Sequence, residues 1–255
     1  MSLKREIEIF DKVGISADTG ETDVWDRVIF PNTIRAREIE LILNLAEKVQ
    51  PRRVLDFGCG SGWVSRALAA RGYQVTGIDT SDWLIKSAWR ASAGKSQFTV
   101  GDCMNLPFGD GSFDLLVGMA ILHHLAPERG LAECYRVLTP GGSLLLMEPN
   151  KFNPLAALAR KFMPVDTQTP DEEPFAPGDL KAQMRQGGWH INRFGYLFPY
   201  SFGLSQLLRK TKMDWFLWKP ACMPIKFSEM VFERIPLLNK LCWVIVVEAE
   251  KVDNG

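Results

Sequence analysis

The stretch "VLDFGCGSG", residues 54–62, runs an apolar segment into an aspartate and then sets Gly58, Gly60 and Gly62 at alternate positions. Three glycines in five residues lose much conformational entropy on folding, so the turn they form must gain something in return. Before it, "RVLDFG" (53–58) reads as a short apolar strand. After it, "WVSRALAARG" (63–72) reads as an amphipathic helix ended by Gly72. A glycine turn between a strand and a helix is where a ligand can approach the backbone closely. The spacing is GxGxG, and Trp63 stands where a dinucleotide-binding GxGxxG carries its third glycine. Asp56, two residues before the first glycine, serves a pyrophosphate poorly and a cationic ligand well.

The same rhythm continues outward. Strands are predicted at "QVTGID" (74–79), "SQFTVGD" (96–102), "FDLLVGMAIL" (113–122) and "SLLLMEPN" (143–150). Helices are predicted at "SDWLIKSAWRAS" (81–92), with Ser81 as N-cap, and at "PERGLAECYRVLTPGG" (127–142), stopped by Pro140 and the glycine pair. The continuous apolar fourth strand fits a strand covered on both faces. This alternation predicts an α/β fold: a doubly wound, mostly parallel sheet with right-handed crossovers. Residues 1–50 read as an N-terminal helical cap, with "NTIRAREIELILNLAEKV" (32–49) at helical spacing. They precede a single domain over 51–255 whose core motifs occupy 53–150. Residues 151–178, rich in proline and acid, read as a lid or loop. "DLKAQMRQGG" (179–188) is then a helix and "WHINRFGYLF" (189–198) a strand. Residues 199–240 form an aromatic and basic insertion before the last strand, "LCWVIVVEAEK" (241–251).

Composition narrows the function classes. The 255 residues are 46% hydrophobic and 24% charged, as in an ordinary globular protein. Lysine plus arginine equals aspartate plus glutamate at 30 each, so no global field attracts a phosphate backbone and nucleic acid is an unlikely partner. Five cysteines show neither CxxC pairing nor zinc-ligand spacing, so no metal site and a reducing, cytoplasmic setting are expected. The opening residues lack the apolar core of a signal peptide, and no apolar run reaches the roughly 18 residues of a membrane span.

Four ordered blocks carry a resemblance: "VLDFGCGSG", "VTGIDTS" (75–81), "GDCMNLPFGDGSFDLLVGMAILHHL" (101–125) and "RVLTPGGSLLLMEPN" (136–150). Together they resemble a class I S-adenosylmethionine (SAM)-dependent methyltransferase, similar to the small-molecule group that includes quinone-biosynthesis enzymes. The resemblance implies a seven-stranded Rossmann-like sheet with SAM at its carboxyl edge. It implies that Gly58, Cys59, Gly60 and Gly62 pass the backbone along the methionine part, with Asp56 favouring the ammonium and sulfonium charges. Asp79 would accept the two ribose hydroxyls. Thr80 and Leu84 would line one adenine face, Asp102 and the Cys103 N–H would meet the adenine edge, and Met119 would lie near the sulfonium. Each residue also has a plainer reading as a turn former or helix-start acid, but four loops would have to agree by accident.

Methyl transfer requires alignment and dryness first, and a base only where the nucleophile must lose a proton. Candidates for that base are His123, His124 and Glu148, at the exits of the fourth and fifth strands. Adjacent residues point apart, so one histidine is expected to face the site while the other packs or caps. Glu148 is either a substrate contact or a buried structural acid. The acceptor is expected to be small or lipid-like. Residues 199–240, with Trp215, Trp218, Phe227, Lys226 and Arg234, read as an insertion packing its aromatics on the sheet; alternatives are an apolar substrate wall or a flap that contacts a membrane peripherally through basic residues. A non-catalytic SAM-binding module is the rival reading. A nicotinamide oxidoreductase is disfavoured by Trp63.

Overall fold

The structure, a computed structural model, describes residues 31–162, 173–199 and 219–252. Seven strands form one sheet in the order β3-β2-β1-β4-β5-β7-β6. They are β1 (Arg53–Phe57), β2 (Gln74–Asp79), β3 (Gln97–Val100), β4 (Phe113–Met119), β5 (Leu138–Pro149), β6 (Trp189–Leu197) and β7 (Val244–Lys251). The first five run parallel, and β7 runs against both β5 and β6. The doubly wound, seven-stranded architecture expected from the sequence is the one observed.

Alternation along the strands separates two cores. Val54, Leu115, Val117 and Leu145 point to the face covered by α1 (Pro31–Val49) and α2 (Trp63–Ala69). Leu55, Leu116, Leu144 and Leu146 point to the face covered by α4 (Pro127–Val137) and α6 (Pro177–Gln186). Between them in the chain, α3 (Asp82–Ser92) starts where the Ser81 side chain accepts from the Leu84 N–H at 3.2 Å. Pro127 and Pro177 open α4 and α6 at the first helical turn, where a missing N–H costs nothing.

Three expectations are corrected. Helix α4 stops at Val137, and β5 begins at Leu138 instead of 143. Pro140 disfavours helix at Thr139, and a Cβ at Gly142 would sit 2.9 Å from the Thr139 carbonyl. Strand β4 ends at Met119, and Leu122–His124 coil into a 3-10 turn. The stretch 151–178 is not all loop: α5 occupies Pro154–Phe162, capped by Asn153, whose Oδ1 accepts from the Ala156 N–H at 2.6 Å.

In the expected insertion, α7 spans Lys219–Phe232, while Trp215 and Trp218 lie outside the described residues. Phe227 does not pack on the sheet; it is 70% exposed. What α7 turns inward is acid. Arg37 on α1 meets Glu229 at 3.5 Å and Glu233 at 2.6 Å, and its guanidinium lies over the Phe198 ring at 4.9 Å. Glu233 also accepts from the Phe198 N–H at 2.9 Å. Residues 1–30 of the expected cap lie outside the described residues, but α1 is tied to α7 across 192 positions by this cluster. Removing one member of a buried ion group leaves its partners desolvated without their counter-charge. Arg37→Met is therefore expected to lower unfolding free energy by about 3 kcal/mol in urea titration.

Candidate functional site

The loops after β1, β2, β3 and β4 meet at the carboxyl edge of the sheet, where ligands bind in doubly wound folds. All three glycines of the first loop have positive φ (Gly58 71°, Gly60 50°, Gly62 75°), the left-handed region that side chains resist. Their surroundings differ. A Cβ on Gly58 would lie 2.4 Å from the Ile121 side chain, and one on Gly62 would lie 2.9 Å from the Phe98 ring. A Cβ on Gly60 would meet no atom of the described residues within 4 Å. Gly58 and Gly62 thus admit neighbouring side chains of the protein itself, and Gly60 is the one that opens onto space.

Hydrogen bonds lock the loops together. Asp79 at the end of β2 accepts from the Gly60 N–H through Oδ2 at 2.9 Å and from the Ser81 N–H through Oδ1 at 3.0 Å. The Cys59 N–H donates to the Ile78 carbonyl at 2.9 Å. Asp102 closes its own turn by accepting from the Met104 N–H at 2.7 Å. Thr80, Leu84, Asp102 and Met119 are half-buried around this edge. Cys59 and Cys103 are buried, and burial drives both thiols well above the usual cysteine range. Among the described residues, no group of three or more histidines, cysteines or acids is arranged to hold a metal ion.

Asp56 lies behind the glycine turn, on the sheet face shared with Val54. It is 1% exposed, and its Oδ2 takes both the Ser65 N–H at 3.0 Å and the Ser65 O–H at 2.6 Å. Burial pushes its carboxyl up to about 7, and the two donations from Ser65 pull against that rise. A carboxyl so poised would be held ionised by a cation arriving nearby.

Glu148, at the end of β5, is also buried. Its Oε1 accepts from the Ile121 N–H at 3.1 Å and the Leu122 N–H at 2.8 Å. Its Oε2 accepts from the His123 N–H at 3.4 Å and lies 2.7 Å from His123 Nδ1. Of the sequence's two readings of Glu148, this is the geometry of the buried structural acid: it holds the turn after β4 and the His123 ring together. The His123 and His124 rings sit 4.1 Å apart at a 38° tilt. Sequence reasoning missed Ser65, the partner of Asp56, and Asn150, whose side chain donates to the Cys242 carbonyl at 2.7 Å and fixes the end of β5 beside β7. Ser65 lies in no motif and was legible only as a small polar residue on a helix face that should be apolar; Asn150 closes the fifth-strand block, but its carbonyl partners lie about 90 residues further on.

These residues suit SAM. An open glycine face, a carboxylate bonded to that glycine, a second acid one strand further and a buried carboxyl behind them offer acceptors to a molecule with two positive centres and a vicinal diol. A family model described as a methyltransferase domain matches residues 55–146. The O-methyltransferase rstn1 of Aspergillus nomiae is 32% identical over 187 residues, 67% of this chain and 80% of that protein. A demethylmenaquinone methyltransferase of Thermotoga maritima is 32% identical over 151 residues, 57% of this chain and 62% of that one. Among solved structures, the cyclase SpnF shares the fold with a TM-score of 0.58 at 23% identity, covering 84% of this chain and 81% of its own. The chain belongs to the class I SAM-dependent methyltransferases, a family whose methyl donor is S-adenosylmethionine. It spans about half the length of several curated relatives that it matches, between 42% and 62%.

Because the Asp56 carboxyl is raised in the fold, the unfolded chain ionises first as pH rises. The folded state should then lose stability between pH 4 and pH 7, on the order of 4 kcal/mol from this group, and level off above. Asp56→Asn is expected to flatten that slope, read by urea titration across the range.

Proposed function

We propose that this chain moves the methyl group of SAM onto a small, apolar or lipid-like acceptor. The observation that carries the proposal is the bond between Asp79 and the Gly60 N–H beside the open glycine face. A carboxylate suited to a sugar diol thus lies next to a glycine whose surroundings leave room for a ligand. When bound, SAM supplies an electrophilic methyl carbon. The chain's part is to orient and to exclude water. Gly60 gives close approach; Asp79 holds the ribose; Thr80 and Leu84 cover one adenine face, and Asp102 with the Cys103 N–H meets its edge. Asp56 balances the positive charge from behind, and Met119 lines the approach at the end of β4. By holding SAM at Gly60 and Asp79, the chain would keep the methyl carbon aligned with an acceptor at contact distance, and such positioning can supply much of the rate.

Where the acceptor must lose a proton, His123 takes it. The contact with Glu148 supports His123 over His124: a carboxylate oxygen at 2.7 Å calls for a proton on Nδ1, which puts the lone pair on Nε2. The relatives act on unlike acceptors by their printed names, among them demethylmenaquinone and malonyl-acyl carrier protein, so their names fix no single acceptor for this chain.

Calorimetry and turnover test the reading. The chain is expected to bind SAM and, with a hydrophobic extract as acceptor source, to release S-adenosylhomocysteine; binding without any release would leave a binding module instead. Asp79→Ala should weaken SAM binding by about 2 kcal/mol, roughly thirtyfold in Kd. Gly60→Val should abolish binding in a chain that still melts cooperatively. His123→Gln should lower kcat about a hundredfold with Kd for SAM unchanged.

A further inference from the structure

Helix α7 is turned inside out. Glu229 on the helix and Glu233 just past its end face the protein and meet Arg37, with Glu229 1% exposed. Two residues away, about 200° around a helix, Phe227 is 70% exposed and Val231, one turn on, is 45% exposed. The apolar stripe continues through the turn after the helix, where Ile235 and Leu238 are exposed at the same three-to-four-residue spacing. Leu237, beside them, is 72% exposed.

A second apolar stripe adjoins the first. Asn150 donates to the carbonyls of Lys240 at 2.9 Å and Cys242, and Asn153 donates to the Leu241 carbonyl at 2.6 Å. These bonds clamp the turn after α7 to the start of α5, where Phe152, Leu155 and Leu158, three residues apart, are each about half exposed. Scattered surface apolar residues need no explanation, but two stripes joined at a buried asparagine clamp form a face. Beside the α5 stripe the exposed Lys151 pairs with the exposed Glu173 at 3.2 Å, whereas along the α7 stripe the exposed charge is basic. Both acids of residues 219–241 are inside the Arg37 cluster, whereas Arg234 and Lys240 are exposed.

We propose that this face docks on an anionic membrane surface, with the stripes of α7 and α5 lying in the interface and Arg234 and Lys240 against lipid headgroups. An apolar stripe flanked by basic side chains is the pattern that lies in a bilayer interface. A symmetric pairing of two copies through the same patch would bring the basic side chains of both copies into one interface, which like charges oppose. No helix among the described residues is long and apolar enough to cross a membrane, so the contact is peripheral. The proposal does not depend on methyl transfer.

The test is co-sedimentation of the full chain with vesicles of equal parts phosphatidylcholine and phosphatidylglycerol, and with vesicles of phosphatidylcholine alone. Binding is expected to the anionic vesicles, weaker by about fivefold or more on the neutral ones and reduced by salt. The double variant R234E/K240E should lose at least about tenfold in partitioning, and F227S/V231S a similar factor, with unchanged melting by circular dichroism. If F227S/V231S fails to fold, the exposed-charge variant and the comparison of lipids decide. A wild-type chain that stays in solution with both vesicle types overturns the proposal. So does a dimer in light scattering that F227S/V231S splits while vesicles capture nothing.

Discussion

A parallel strand that ends at a sheet edge leaves the N–H groups of the following loop without ladder partners, and here carboxylates take that place. Asp79 accepts from the N–H groups of Gly60 and Ser81, Glu148 from those of Ile121, Leu122 and His123, and Asp102 from that of Met104. Asp56 does the same for Ser65 inside the sheet face. Each acid therefore has two tasks: it fixes a loop through one set of lone pairs, and it leaves the edge electronegative. Hydrogen bonds to a charged acceptor are the stronger kind, and leaving such an N–H buried without one is expensive. The anionic character that suits a cationic cofactor thus follows from how the loops are held.

This sharing of tasks shows which parts of the site were legible in the sequence. The glycines, Asp79 and Asp102 stand at strand ends in fixed order, so their positions could be read from the rhythm of apolar runs. What could not be read is that the three glycines serve different neighbours. Ile121 and Phe98 fill the space at Gly58 and Gly62, and those contacts come from β4's exit and from β3, far along the chain. The partners of Glu148 were equally hidden, because the four groups lie 25 to 27 residues earlier and three of them are backbone groups with no sequence signature.

Outside the core, legibility failed for two reasons. Helix α5 had a local signal, Asn153 followed by Pro154, which was outweighed by the proline and acid content of the surrounding stretch. Helix α7 failed differently. Apolar side chains are normally assigned inward, and here a pair of glutamates takes the inward positions because Arg37, on α1, offers them charge. The expectation that the aromatics of this insertion pack on the sheet fails at Phe227, which is 70% exposed.

The antiparallel β7 has a consequence for the order in which the chain can fold. Strands β1 to β5 find their neighbours among themselves, but β6 is an edge strand whose sheet partner is β7. A nascent chain leaving the ribosome therefore carries β6 with its backbone unsatisfied until the eight residues of β7 have emerged and slipped between it and β5. His190, Asn192 and Arg193 project as polar residues along β6, and such residues deter stray strand pairing during that wait. Arg193 then finds Glu248 of β7 at 3.0 Å, so the guard of the unfinished edge becomes a cross-strand tie in the completed sheet.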